Sequence, residues 1–329
     1  MRISILGGGG FLGRKIAQRL AREGTLAGRP VSALTLFDLH QPAGLDAPFP
    51  VTTLAGDVVN LPAEAIPPGT DVVFHLAAVV SAQAEADYEL GRRVNLGGTD
   101  AVVDACRRLT AAGGRAPRVV FTSSVASFSG GQGVTLDDDA KQVPGNSYGA
   151  QKAAAELILA DASRRGFMDA VTLRLPTVIV RPGRPNKAAS SFFSAIVREP
   201  LLGLETELPV DDGFAAWFCS PRRAADWLLH AAAIDTAGMG LDRSLSPPGI
   251  SATIAELIAA LEAVRPGASR LIRRVPDPTV AAIVGTWPPA FTASRARALG
   301  FVPHEPAIEI VRAFIEDDLD ATRRERGLG

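Results

Sequence analysis

Two cysteines in 329 residues, Cys106 and Cys219, are too few and too far apart for a disulfide framework or a thiolate metal site. They suit a reducing compartment, and the cytoplasm is the expected location. Excess charge of one sign is missing as well. The 34 Lys and Arg residues meet 35 Asp and Glu, for a formal net charge of −1. That balance supplies no basic face for nucleic acid or an anionic membrane. No apolar run approaches the roughly 20 residues that span a bilayer. The apolar start, Met1 to Leu6, is cut at once by Gly7 to Gly10, which leaves no signal-peptide core. Internal repeats, low-complexity segments and metal-ligand spacings are also lacking. A soluble protein with no nucleic-acid, membrane or metal partner is expected. The chain does have the material for a large core, since 47% of it is hydrophobic and an ordinary 21% charged.

Short β-rich runs alternate with helical patterns through the first half. Strands are predicted at Ile3 to Leu6, Leu34 to Phe37, Val51 to Leu54, Val72 to His75, Val119 to Thr122 and Val171 to Leu175. Helices are predicted from about Leu12 to Glu23, Glu85 to Ala111 and Tyr148 to Arg165. Strands separated by helices require right-handed crossovers and a parallel, doubly wound sheet. The expected fold is therefore α/β, a Rossmann-type sheet over residues 1–176. Beyond Pro176, proline and glycine punctuate 182–185, 200–213 and 247–249, with helical pieces near 190–198, 221–233, 252–264 and 306–325. Residues 177–329 read mainly as a smaller substrate-binding lobe, with about 214–235 rejoining the first domain.

The segment ISILGGGGFLG places Gly7, Gly10 and Gly13 after the first strand and into a helix. Such glycines let the backbone turn tightly and approach a pyrophosphate, which the helix N-terminus then faces with free N–H groups. Asp38 ends the second strand. Its carboxylate can accept from both adenosine ribose hydroxyls and would repel a 2′-phosphate, which selects NAD over NADP. Asp57-Val58 follow the third strand and Leu76-Ala77-Ala78 the fourth, at the carboxyl ends where such sheets bind ligands. Asp57 is expected to accept from the adenine amino group with Val58 against the ring. The small Ala77 and Ala78 would let the backbone come close to the cofactor.

Tyr148-x-x-x-Lys152 opens the helix after the fifth strand, which ends in Thr122-Ser123-Ser124. Residues four apart share a helix face, so Tyr148 and Lys152 project together. A phenol of ordinary pKa near 10 is a poor base at neutral pH. A neighbouring ammonium, with the positive charge of an oxidised nicotinamide, favours the phenolate. Ser124 is expected to hydrogen-bond the substrate oxygen.

Together these residues resemble the extended short-chain dehydrogenase/reductase family, whose members include NAD-dependent epimerases and dehydratases. The resemblance spans about residues 1–183: Gly7-x-x-Gly10-x-x-Gly13 with Phe11 and Leu12 between the last two glycines, Asp38, Asp57-Val58, His75-Leu76-Ala77-Ala78, Asn95, Ser124 and Tyr148-x-x-x-Lys152. It implies that Pro176, Thr177 and Val178 lie near the nicotinamide carboxamide. It also implies that Asn95 supports the active-site backbone, that Lys152 binds the nicotinamide ribose, and that the catalytic serine is Ser124 rather than Ser123. A homodimer formed through the helices near 85–111 and 148–165 is a further implication.

Nucleotide-sugar members of that family usually carry an Arg-Asp pair ahead of the helix at 221–233. Here Ala215 and Ala216 stand in those places. The segments at 181–203 and 220–224 resemble instead the branch that oxidises carbon 2 of the four-carbon sugar acid D-erythronate to a 2-oxo acid. Arg181, Asn186, Lys187, Ser190 and Arg222 are available to hold such a substrate, and the pattern does not say which points inward. A nucleoside-diphosphate-sugar epimerase or dehydratase remains the alternative.

Overall fold

The computed structural model describes residues 1–184, 189–304 and 306–328. Two units divide the chain. The first comprises Met1–Ser127, Ser147–Arg174 and Ala225–Leu245, and the second Phe128–Asn146, Leu175–Ala224 and Ser246–Gly329.

Seven strands build the sheet of the first unit: β1 (Arg2–Leu6), β2 (Ala33–Asp38), β3 (Val51–Ala55), β4 (Thr70–His75), β5 (Arg118–Ser124), β6 (Asp169–Leu175) and β7 (Ser244–Leu245). Their spatial order is β7-β6-β5-β4-β1-β2-β3. The pairs β1–β2, β2–β3, β1–β4, β4–β5 and β6–β7 are parallel. The order reverses between β1 and β4, and in such sheets the crevice beyond that switch point receives the ligand. The central strands are apolar along their length because both faces are covered: Ile3, Ile5, Val73, Phe74, Val119 and Val120 are all buried. The main helices are α1 (Phe11–Glu23), α2 (Gly98–Ala111) and α3 (Ser147–Arg164).

Four features depart from expectation. The helix read over 85–111 is broken. Short helices Ser81–Ala86 and Tyr88–Arg92 are followed by a π-turn, Arg93–Gly97, before α2 begins. Asp87 causes the first break, because its side chain accepts from Leu90 N–H and starts a new helix there. The seventh strand, only two residues long, has no counterpart among the predicted strands; it pairs with Thr172 and Leu173 of β6. Residues 128–146 belong to the second unit, where Thr135–Leu136 pairs with Ala290–Phe291. The returning segment runs over 225–245 rather than 214–235.

In the second unit, strand Thr177–Val178 pairs with Ala215–Cys219, which pairs in turn with Ile250–Thr253. Helices Ser191–Leu201 and Ile254–Val264 pack beside it. Among the described residues, no helix is long and apolar enough to cross a membrane.

Candidate active site

The glycine loop of the first unit lies where β1 passes into α1. Gly7 has φ +90°, and a β-carbon there would lie 2.8 Å from the Ala77 nitrogen at the end of β4. At Gly13 a β-carbon would collide with the Gly7 carbonyl, so α1 can start this close to the loop only without a side chain. No side chain caps α1 at Gly10, which leaves its first N–H groups to a ligand. The loop opens on a cleft of roughly 380 Å³, lined among others by Gly10, Asp38, Asp57, Val58, Ala77 and Ala78. These residues come from the ends of β1, β2, β3 and β4, on either side of the switch point. Phe11 and Leu12 form the first turn of α1.

Asp38 is fixed from two sides. Its Oδ2 accepts from Gly9 N–H at 2.9 Å and its Oδ1 from Leu39 N–H at 2.7 Å. Asp57 caps a short 3-10 turn, accepting from Val59 N–H at 3.1 Å, and its other oxygen takes Arg93 Nη1 at 2.5 Å. That Arg93 guanidinium, aided by the Val59 amide, holds the Asp57 carboxyl below the usual range. Arg93 also lines the cleft. Sequence reading missed it, because nothing in its local pattern points to a residue 36 positions away.

Asn95 sits in the π-turn and is buried. Its amide clasps the Val79 backbone, accepting from Val79 N–H at 2.8 Å and donating to Val79 carbonyl at 3.1 Å. It also donates to Gln151 Oε1 at 2.7 Å, joining the cleft wall to α3. Next to it, His75 is fully buried and shares a 3.2 Å hydrogen bond with Thr99 Oγ1. Burial, reinforced by the nearby Lys152, pushes the imidazole down to about 3, so His75 is neutral at working pH.

Helix α3 packs on β5 and on the turn after it. Its start is fixed by Glu85, whose carboxylate accepts from Ser147 N–H at 2.8 Å, one residue before Tyr148. Tyr148 is half-buried, and Lys152 is buried one turn below it. Lys152 Nζ donates to Thr122 carbonyl at 2.7 Å and lies 4.5 Å from the Phe121 ring centre and 5.6 Å from that of Tyr148. Burial draws its pKa down to about 7, opposed by Glu156. Ser124, at the end of β5, is half-buried. Its Oγ accepts from Ala126 N–H at 3.1 Å, which leaves the hydroxyl hydrogen to donate. Neighbouring Ser123 turns the other way, its hydroxyl donating to buried Glu156. The geometry thus separates the two serines that sequence alone left adjacent.

In the second unit, Pro176, Thr177 and Val178 run along the strand beside Phe218 and Cys219. Arg181 is half-buried there. Its guanidinium donates to Val178 carbonyl and to Ser190 Oγ, both at 3.1 Å. Its carbonyl receives Arg198 Nη1 at 2.7 Å. Arg222 is engaged differently, donating to Glu316 at 2.8 Å and to Asp317 at 2.5 Å, and those carboxylates raise its pKa. Asn186 and Lys187 lie outside the described residues.

Residues 3–216 match the family described as the NAD dependent epimerase/dehydratase family. A Cupriavidus necator protein named D-erythronate dehydrogenase is 46% identical over 325 residues, covering 96% of this chain and 98% of that one. A Haemophilus influenzae protein of the same name is 35% identical, covering 97% of this chain and 100% of that one. The crystal structure of the nucleoside-diphosphate-sugar epimerase from Agrobacterium tumefaciens matches with a TM-score of 0.91 at 46% identity, over 97% of this chain and 95% of that one. With a match across nearly two thirds of its length and a glycine-lined cleft at the switch point of its sheet, the chain belongs to the NAD dependent epimerase/dehydratase family.

Proposed function

We propose that this protein is an NAD-dependent dehydrogenase that oxidises the C2 hydroxyl of a small sugar acid, D-erythronate, to the 2-oxo acid. The observation that carries this reading is the end-to-end similarity to two D-erythronate dehydrogenases, at 46% and 35% identity. The cleft fits the cofactor. It offers uncapped helix N–H groups for a pyrophosphate, a fixed carboxylate at Asp38 for ribose hydroxyls, and Asp57 with Val58 for adenine. Bound NAD supplies the hydride acceptor for carbon 2. Tyr148, as phenolate, takes the proton of the C2 hydroxyl, and the Ser124 hydroxyl donates to the same substrate oxygen. Lys152 steadies the phenolate by its charge and binds the nicotinamide ribose. Loss of a hydride from carbon and a proton from oxygen leaves the 2-oxo acid.

The substrate carboxylate needs a cation, and Arg181 is the one favoured here: it follows the Thr177–Val178 strand and is oriented by the Val178 carbonyl and Ser190 Oγ, while Arg222 is occupied by two carboxylates. Arg181→Met is expected to raise KM for D-erythronate by at least about tenfold, since a charge-assisted contact is worth roughly 1.5–3 kcal/mol. The Kd for NAD should hardly move. A D-erythronate KM unchanged in Arg181→Met would reassign the anchor.

The Agrobacterium tumefaciens relative keeps a nucleoside-diphosphate-sugar epimerase as the second reading. Net NADH formation decides between them, because an epimerase returns its hydride. Tight binding of a UDP- or GDP-sugar with no activity on any sugar acid would restore the epimerase. Against that reading stand Ala215 and Ala216, which offer no cation to a diphosphate.

We place the protein in the cytoplasm, where its two buried cysteines remain thiols. We also propose a homodimer through α2 and α3, since Leu157 on α3 is 71% exposed on the face opposite Lys152 and Glu156. Light scattering should give twice the chain mass, and a monomer at working concentration would exclude this pairing.

A further inference from the structure

Below the Tyr148–Lys152 pair lies a buried charged cluster that the hydride chemistry does not use. Glu156 follows Lys152 by one turn of α3 and Tyr148 by two, on the same face, and it is buried. One of its oxygens accepts from the Ser123 hydroxyl and the other from Arg174 Nε at 2.9 Å. Ser123 stands on β5 between Ser124 and Thr122, whose carbonyl receives Lys152. Arg174 comes from β6 and is itself buried. A buried ion pair contributes little net stability, because desolvation consumes most of the Coulombic gain. Its position is better explained by what lies above it.

We propose that Glu156 is a positioning residue for the reaction: its carboxylate, clamped by Ser123 and Arg174, keeps the buried Lys152 ammonium charged and in place under Tyr148. The proposal rests on Tyr148 being the base. The groups facing Lys152 are Tyr148 and Glu156 from its own helix, His75 from β4, and the Phe121 ring and Thr122 carbonyl from β5, while Arg174 from β6 reaches it through Glu156. Among these, Glu156 is the acid that opposes the burial of the ammonium. Along the helix it stands about 6 Å from Lys152 but about 12 Å from Tyr148. Its charge therefore acts on the lysine, and the lysine in turn on the phenol.

Tyrosinate absorbance tests this directly, because the chain has only two tyrosines. Tyr88 is exposed. Subtracting the titration of full-length Tyr148→Phe leaves the signal of Tyr148. In Glu156→Gln, which keeps one acceptor oxygen for Arg174 and can donate its amide N–H to the Ser123 hydroxyl but loses the charge, the midpoint should rise by at least about one pH unit. Glu156→Asp should restore part of the shift. Arg174→Met should move the midpoint the opposite way, since Glu156, still held by Ser123 but no longer neutralised by a guanidinium, holds Lys152 charged more firmly, and this variant carries the test if Glu156→Gln does not fold. An unmoved midpoint in either folded variant, or movement in the same direction in both, overturns the proposal. Because the titration needs no substrate, its outcome is independent of Tyr148→Phe kinetics, which judge the base itself.

Discussion

Tyr148→Phe is expected to lower kcat on D-erythronate by at least about a hundredfold while leaving the Kd for NAD within about twofold. General base catalysis contributes typically 10² to 10⁴ in rate, and this substitution removes only the phenolic oxygen. The ring remains, so the start of α3 keeps its shape. Glu85 still holds Ser147 N–H, and Lys152 still donates to Thr122 carbonyl at 2.7 Å. A half-buried tyrosine losing its hydroxyl also leaves no sizeable cavity, so stability should change little. In the proposed binding mode the cofactor is held mainly by the glycine loop, Asp38 and Asp57, which line the cleft and do not lie on α3. Turnover at saturating acid and a direct NAD titration check the two halves separately. A near-normal kcat would remove Tyr148 from the mechanism. A large loss of NAD affinity would mean that the phenol anchors the cofactor rather than moving a proton.

Much of the sheet was legible because its strands are short apolar runs ended by turn residues, and a doubly wound parallel fold buries both faces of each. The runs at 3–6, 34–37 and 72–75 each sit inside the observed strand. The strands run further than the apolar pattern because polar end residues are also held by main-chain pairing: Asp38 pairs with Ala55 at the end of β2. Periodicity failed where a side chain competes with the helix ladder. Asp87 spends its carboxylate on Leu90 N–H, which breaks what looks like one helix, and the π-turn Arg93–Gly97 that follows carries Asn95, whose amide reaches Val79 and Gln151. In the cleft, the places of Gly7, Asp38 and Asp57 were readable because each stands at a strand end, where the sheet opens on the cleft. Arg93 and Glu156 were not. Each acquires its meaning from a partner far away in the chain: Asp57 for the first, Ser123 and Arg174 for the second. The engagement of Arg222 by Glu316 and Asp317, nearly a hundred residues on, was hidden for the same reason.

The unaltered protein is expected to prefer NAD over NADP by at least about a hundredfold in kcat/KM, a difference of roughly 2.8 kcal/mol. Two backbone N–H groups, from Gly9 at 2.9 Å and Leu39 at 2.7 Å, prevent the Asp38 carboxylate from turning aside. A ribose 2′-hydroxyl can donate to it, whereas a 2′-phosphate would bring a second anion against it. Two unit charges about 4 Å apart repel by about 4 kcal/mol at an effective dielectric of 20, and the open cleft screens part of that. Asp38→Ala removes both the acceptor and the repulsion. NAD should bind more weakly by roughly tenfold, and the gap to NADP should close by at least that factor. A cation reaches that loop from α1: Arg14 Nη1 donates to Ala43 carbonyl at 2.6 Å, five residues beyond Asp38. With the carboxylate gone, that guanidinium has an anion to turn toward, so NADP should gain in absolute terms as well. Paired kcat/KM values for both cofactors in both proteins measure each effect. Equal use of NADP by the unaltered protein would show that Asp38 does not set the choice.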